Sequence, residues 1–492
     1  MRRLVVTAAL ALAAGLAPTA DAGPGGAGPT ASAYGARTNF TLVGQTTLGN
    51  RGVNSPVAVA GGCVYVGYRY DDHGVAVVDA RNPARPRQVG TIAPRLNSTQ
   101  REVRADAGLG LLIVMSYSLF TAEAGNLLEI YDIRSCTKPV LLSTYDFGRR
   151  SPHEFFLWKD AKRPGRALVY TAMTIYSPDL EVIDITDPRA PKLAAVFDLG
   201  IDGVAKPFDP LTSAGGYLHS ISVNDDGTRA YLGTWDYGLY VADTSALATA
   251  ALAPVIVPLG VPVSYAGNVH GGVKVPGKNL LVLVEEAYAK AGKGCPFGWL
   301  RMADISDERA PTLLGEFKLR ENDCARATAL NGTFTSHNQT VFPNVALVPW
   351  YSGGLRAVDI SNPKAPVESG AFVPRPTFEP DARDARLYFG NSPADPWTGA
   401  MWSYPVVQNG LIYVVDIDLG LFILRYTGRH AAQVRQAAFV EGNSAPGRYT
   451  AKAPVIRRPS LPTLAGRPAV VRSPYFSAEP PAGQRFGFAC VI

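Results

Sequence analysis

The sequence predicts an all-β fold, a β-propeller of seven four-stranded antiparallel blades. Three observations carry that expectation: a phrase that recurs along the chain roughly every 50 residues, four short apolar runs within each copy of it, and a last copy that lacks its fourth run.

The phrase is clearest as "GGLRAVDISNPKAP" at 353–366. It reads "HGVAVVDARNPARP" at 73–86 (copy 1) and "NLLEIYDIRSCTKP" at 126–139 (copy 2), then "DLEVIDITDPRAP" (copy 3), "GLYVADTSALATAALAP" (copy 4) and "GWLRMADISDERAP" (copy 5). Copy 6 is the 353–366 phrase, and copy 7 shortens to "GLFILRYTG".

Within a copy the order is constant. Residues 337–372 divide into "HNQTVF", "VALVPW", "LRAVDI" and "VESGAFV", separated by "PN", "YSGG" and "SNPKAP". Short β-branched and aromatic runs punctuated by Gly, Pro, Asn and Asp read as an antiparallel meander. The Asp that closes each third run is a turn former, since its carboxylate can accept from its own backbone two residues on. One such sheet buries neither face well, so the copies are expected to pack face to face around an axis. Copy 7 ends without a fourth strand, whereas "NFTLVGQTTLG" at 39–49 resembles the fourth strands "PRQVGTI" and "PTLLGEFKL". That orphan is expected to complete the last blade and lock the ring.

The "GVAVVD", "LEVIDI" and "GLRAVDI" cores with their "DPxxP"-like turns resemble the LVIVD-repeat family of secreted bacterial propellers, over residues 39–428. The resemblance implies the fold and says almost nothing about activity, because a propeller is a platform for unrelated chemistries.

Outside the repeats the chain changes character. "MRRLVVTAALALAAGLAPTADAG" has two arginines, a short apolar run and a small-x-small close at Ala20-Asp21-Ala22, the pattern of a secretory signal over 1–22. A flexible linker over 23–38 is expected to follow, and the protein to be secreted or held in the cell envelope. No window reaches the roughly 18 uninterrupted apolar residues of a membrane span. Residues 429–492 carry eight prolines and nine Lys/Arg against two Glu, and read as an extended or disordered tail. The formal charge of +6 is therefore concentrated in that tail, and gives no ground for a nucleic-acid partner.

Six histidines are few, and four share one register. His153, His219, His270 and His337 each open the first strand of copies 3, 4, 5 and 6, the strand that lines the channel of a propeller. Four imidazoles on one arc at the channel mouth are what a transition-metal site needs, and imidazole suits Zn, Cu, Fe or Ni without choosing among them. Glu102 stands at or beside this position in copy 2, and Ser55 and Ser403 stand there in copies 1 and 7. Glu285 and Glu286, ending the second strand of copy 5, fall on the same face, as does His73; the glutamates are candidates for a further ligand or for an acceptor that orients an imidazole. The other reading is structural: each histidine tethers its own blade to the next.

No CxxC pair, phosphate-binding loop or nucleophile elbow is present. Trp235, Tyr237, Trp299, Trp350 and Tyr351 either line a cleft or pack between blades. Of five cysteines, Cys295 and Cys324 lie on connections expected to share one face, and an exported compartment permits a disulfide between them. Cys63 reads as a small core residue, and Cys136 and Cys490 have no assignable partner. Two functions follow: a monomeric interaction scaffold whose channel-mouth loops hold a protein, peptide or glycan, and a metal-dependent oxidoreductase or hydrolase centred on the histidine arc.

Overall fold

In the computed structural model, residues 34–118, 125–175, 178–199, 217–263, 268–287, 297–322, 332–382, 400–442, 444–445 and 468–475 are described. The fold is an all-β propeller. Five sheets each contain one four-stranded meander, with or without an added edge strand. A sixth sheet has nine strands: copies 1 (54–92) and 2 (98–146) are joined in it by a single Tyr68–Gln100 pairing, and Ala469–Arg472 is added at the edge of copy 2.

The refrain's chemistry is visible in the turns. The Asp ending the third strand accepts a hydrogen bond from the backbone N–H two residues on in six copies: Asp79 from Arg81, Asp132 from Arg134, Asp184 from Thr186, Asp243 from Ser245, Asp304 from Ser306 and Asp359 from Ser361. The glycine that opens the phrase is equally constrained. Gly354 has φ +73°, and a Cβ there would lie 2.2 Å from the Phe372 carbonyl of the neighbouring fourth strand.

Apolar clusters fill the space between successive meanders rather than the middle of any one. Tyr65, Val77 and Ile92 of copy 1 pack with Val103, Leu112 and Tyr131 of copy 2, and the series continues round until Val406, Val415 and Ile423 of copy 7 meet Val57, Val64 and Val78 of copy 1. First strands lie against one another about the axis, Asn54–Ala60 on Ser98–Asp106, then Ser151–Lys159, Ser220–Val223 and Val269–Lys274. At the other side Asn54–Ala60 meets Val406–Gln408.

Closure follows the sequence expectation. Phe40–Thr46 pairs antiparallel with Gly420–Tyr426 as the fourth strand of the last meander. Phe40 is buried against Tyr426 with ring centroids 5.2 Å apart, so the N-terminal strand joins the core and covers an open sheet edge. The preceding linker is ordered at its end, where Arg37–Thr38 pairs with Ala371 and Phe372.

One expectation is corrected. Cys63 is not an isolated core residue: it forms a disulfide with Cys136, tying the second strand of copy 1 to the turn of copy 2. The pairing expected for Cys295 and Cys324, and Cys490 with them, lies outside the described residues. Of the tail, read as extended or disordered over 429–492, the described residues form a short helix, Ala431–Arg435, and short strands on unused backbone edges, while 446–467 and 476–492 lie outside the described residues. Phe439–Val440 pairs with Val406–Gln408, and Ser444–Ala445 runs parallel to Leu157 and Trp158. Between these, Glu441 is buried and forms an ion pair with Arg104 at 3.1 Å. The tail thus crosses between first strands on opposite sides of the ring. No helix among the described residues is long and apolar enough to cross a membrane.

Candidate metal centre

Two of the four converging histidines, His153 and His270, sit at a local irregularity in the strands that carry them. In Ser151–Lys159, Pro152 faces Met173 and Glu154 faces Ala172, leaving His153 as an extra residue. In Val269–Lys274, His270 is likewise extra between Val269 and Gly271. In copy 4, His219 donates its N–H to the Gly233 carbonyl while Ser220 is the strand partner of Gly233. An extra residue of this kind is a β-bulge, which bends the strand and re-aims a side chain, here toward the axis.

All four imidazoles are buried, His153 at 5 % exposure and His270 at 1 %, so the group sits within the ring and not on an open rim. His153 Nε2 lies 3.1 Å from His219 Nε2. Successive ring centroids are 4.3, 4.5 and 4.1 Å apart from His153 through His219 and His270 to His337. Two carboxylates enter the same space. Glu154 Oε1 is 3.2 Å from His270 Nε2, while Glu286 lies 3.2 Å from His337 Nε2, 3.6 Å from His219 Nε2 and 3.9 Å from His270 Nε2. The Nε2 atoms therefore face one another and two carboxylates. Two donor groups, Glu154–His270–His337 and His219–His270–Glu286, are compact enough to hold an ion, and they share His270.

The surroundings hold these groups in place. His337 Nδ1 bonds the Trp402 carbonyl, the second contact by which proteins fix an imidazole's tautomer and leave Nε2 for a metal. Tyr351 donates its hydroxyl to Glu286, Asn338 Nδ2 donates to Glu154 at 3.1 Å, and Trp235 stacks on His219 at 4.4 Å. His219 Nδ1 and His270 Nδ1 have no hydrogen-bond partner among the described residues.

Electrostatics divide the set. Burial pushes His153 down to about 3, helped by the Arg101 charge, and burial also holds His219 and His337 below the usual imidazole value. His270 goes the other way: burial opposes its proton, but Glu154 and Glu286 outweigh it. Against the cost of burial, His270 and His337 hold Glu154 well below the carboxylate range, and His337 and His270 bring Glu286 down to about 2. Three neutral imidazoles beside two carboxylates are the protonation states a metal requires of its ligands.

The remaining residues named from the sequence make other contacts. Glu285 turns away to Arg301 at 3.1 Å, and burial raises it to about 7. Glu102 pairs with Arg104 at 3.0 Å. His73 stays in its exposed loop beside Asp72, and the Ser55 hydroxyl bonds the Arg101 carbonyl at 2.7 Å. Trp350 is in the core with its indole N–H on the Phe334 carbonyl, whereas Trp299 is half-buried at the edge of the same cluster and donates to Glu316. Glu154 was not anticipated: strict alternation sends the neighbour of an inward His153 to the opposite face, and the bulge removes that alternation.

No curated protein matches the chain. Among solved structures, Chaetomium thermophilum Sqt1 bound to the N-terminus of the ribosomal protein L10 is similar at 12 % identity, covering 78 % of this chain and 98 % of that one with a TM-score of 0.47. The Myceliophteria thermophila Cps50 (Swd1) β-propeller domain is similar at 11 % identity, 79 % and 99 % coverage and a TM-score of 0.45. The LVIVD repeat matches residues 51–93 and 346–373, which are copy 1 and the last three strands of copy 6. The chain thus carries the LVIVD repeat in these two stretches, on a β-propeller fold, and the same phrase recurs in the intervening copies.

Proposed function

We propose that this protein is an extracytoplasmic metalloprotein, a seven-bladed ring in which His153, His219, His270 and His337 hold a transition-metal ion on the axis with Glu154 and Glu286. The seven-blade count treats the nine-stranded sheet as two blades joined at one pairing. The observation that carries the metal reading is the convergence of four Nε2 atoms and two carboxylates in a buried space, supplied by separate copies.

The spacing suits an ion. The two imidazole nitrogens 3.1 Å apart are close enough for one ion to reach both at the usual ~2.0–2.1 Å. Nitrogen and oxygen donors of this kind fit Fe, Cu, Ni or Zn. A bound ion would supply Lewis-acid or redox chemistry, so the activity class is a metal-dependent oxidoreductase or hydrolase. The chain's own contribution is to hold His153, His219 and His337 neutral, to fix His337 through Trp402 and Glu286 through Tyr351, and to wall the site with Trp235 and the neighbouring blades against bulk water. The Cys63–Cys136 disulfide supports placement outside the reducing cytoplasm.

Metal titration by calorimetry on chelator-treated protein tests the reading, with His219→Ala and Glu286→Gln compared with wild type. Saturable uptake that both variants weaken while keeping a native circular dichroism spectrum supports it. Variants that lose the fold, from a protein that takes up no Zn, Cu, Fe or Ni, make the histidines inter-blade tethers and leave an interaction scaffold for a protein, peptide or glycan.

A further inference from the structure

Away from the axis, the junction of copies 1 and 2 is looser than its counterparts. In copies 7, 4 and 5 the fourth strand meets the turn of the next copy through a glycine in hard contact. A Cβ at Gly44 would lie 2.1 Å from the Pro83 carbonyl oxygen, at Gly260 2.1 Å from that of Arg309, and at Gly315 2.6 Å from that of Lys364. In copy 2 the place is taken by Ser143, whose hydroxyl donates to the Pro188 carbonyl at 2.7 Å. Gly90 is the equivalent residue of copy 1, and there the nearest atoms to a Cβ would be 3.9 Å away, one of them the Thr137 carbonyl oxygen. The turn that stands off from Gly90 is the one that carries Cys136, bonded to Cys63 of copy 1.

A cavity of about 570 Å³ occupies this junction, bounded by Val77, Gly90 and Ile92 of copy 1 and by Glu129, Tyr131 and Leu141 of copy 2. Small-molecule sites span roughly 300–1,000 Å³, so the space is of ligand size. Lys138, exposed, and Arg95, partly exposed, border it on the solvent side. Much of the wall is aliphatic, but Glu129 is a carboxylate with 1 % of the residue exposed. One of its oxygens accepts from Arg95 and, at 3.0 Å, from the Tyr131 hydroxyl. The other, Oε2, is buried and has no hydrogen-bond partner among the described residues. A buried carboxylate oxygen without a donor costs free energy, so the floor of the cavity calls for one.

We infer that this cavity is a binding site for a neutral sugar, separate from the histidine–glutamate centre and independent of any metal. Its floor selects the charge of the ligand. Glu129 is already paired with Arg95, so an added cation would meet that guanidinium and Lys138, and an added anion would meet the second carboxylate oxygen. A sugar hydroxyl donates to Oε2 without bringing charge, while Arg95 and Lys138 are donors for the other sugar oxygens. The C–H face of the ring packs on Val77, Ile92 and Leu141, and Gly90, which has no side chain, leaves the room for it.

The test is saturation-transfer NMR on the purified protein with glucose, galactose, mannose and N-acetylglucosamine as probes, followed by calorimetry for each that binds. At least one should bind saturably, with the same affinity in the presence of a chelator. Glu129→Gln keeps the shape of the floor but puts a donor where an acceptor is needed, and should weaken that sugar at least about tenfold. Gly90→Val places its Cβ at ordinary contact distance and its methyl groups in the cavity, so it should fold and lose the sugar by a similar factor. It decides the matter if Glu129→Gln does not fold. Binding of none of the four sugars, unchanged affinity in Gly90→Val, or tighter binding of glucosamine or glucuronate than of every neutral sugar overturns the inference. Failure of the metal reading leaves these outcomes untouched, since they are read with the chelator present.

Discussion

Replacing His270 with Ala perturbs both donor groups at once, and its cost can be worked from distances. His270 Nε2 is 3.2 Å from a Glu154 oxygen and 3.9 Å from a Glu286 oxygen, with 1 % of the residue exposed. At an effective dielectric near 20, unit charges at about 4 Å attract by about 4 kcal/mol. Part of that is offset by the burial of the imidazolium, and Asn338 and Tyr351 still donate to the two carboxylates after the substitution. Removing one partner of a buried ion pair costs about 3–5 kcal/mol, and we expect His270→Ala to fall in that range for metal-free protein.

The pH dependence has a definite sign. His270 is raised in the fold, so its contribution is fully present below the unfolded value near 6.5 and is lost as pH rises through the folded value. Glu154 and Glu286 are depressed, so both are ionised at pH 6. The penalty should therefore be larger at pH 6 than at pH 9. Urea unfolding with a chelator present, on wild type, His270→Ala, Glu154→Gln and the double variant, measures it. The double variant should cost less than the two singles together by more than about 1 kcal/mol, because the substitutions remove both ends of one interaction. A single-variant loss below about 1 kcal/mol at pH 6, or strict additivity, would refute the reasoning.

Further outcomes follow from other parts of the ring. Phe40→Ala in the closing strand should destabilise by about 3–5 kcal/mol in urea unfolding, since it empties a buried aromatic site against Tyr426; a loss under about 1 kcal/mol would mean that closure contributes little. Cys63→Ser with Cys136→Ser opens a loop whose ends are 73 residues apart, for which chain entropy predicts a loss of about 4 kcal/mol; unchanged stability in oxidising buffer would contradict it. Burial raises Glu102 to about 8 from an ordinary 4.5, so its contribution is complete below about 4.5 and is lost as pH rises to about 8. Glu102→Gln should therefore be more stable than wild type at pH 8 and closer to it at pH 5, and the opposite ranking in urea midpoints would be inconsistent with a protonated Glu102.

Much of this was legible in the residues because the relevant signals are periodic. Turn aspartates, opening glycines and the orphan strand at 40–46 each do one local job that the sequence repeats. The histidine register was legible for the same reason, but their convergence was not: at His153 and His270 it involves a bulge, and a bulge is a departure from period two that no residue type announces. Glu154 was hidden by that departure. Glu285 and Glu286 are adjacent letters at a strand end, and only the pairing of Glu285 with Val269 shows which turns outward to Arg301. The Cys63–Cys136 bridge joins a strand start to a turn one blade away, a proximity set by packing and not by spacing. The tail's strands are two to four residues long and have little pattern of their own; they form because first and fourth strands elsewhere offer unpaired edges.

The most direct test of the central claim is elemental analysis, with X-ray absorption, of untagged protein purified from its native source without chelators. The account predicts about one transition-metal ion per chain, in a nitrogen and oxygen shell with the outer scattering of several imidazoles, and its loss in His270→Ala. A folded native protein with no such metal, or a metal with no imidazole around it, would contradict the account.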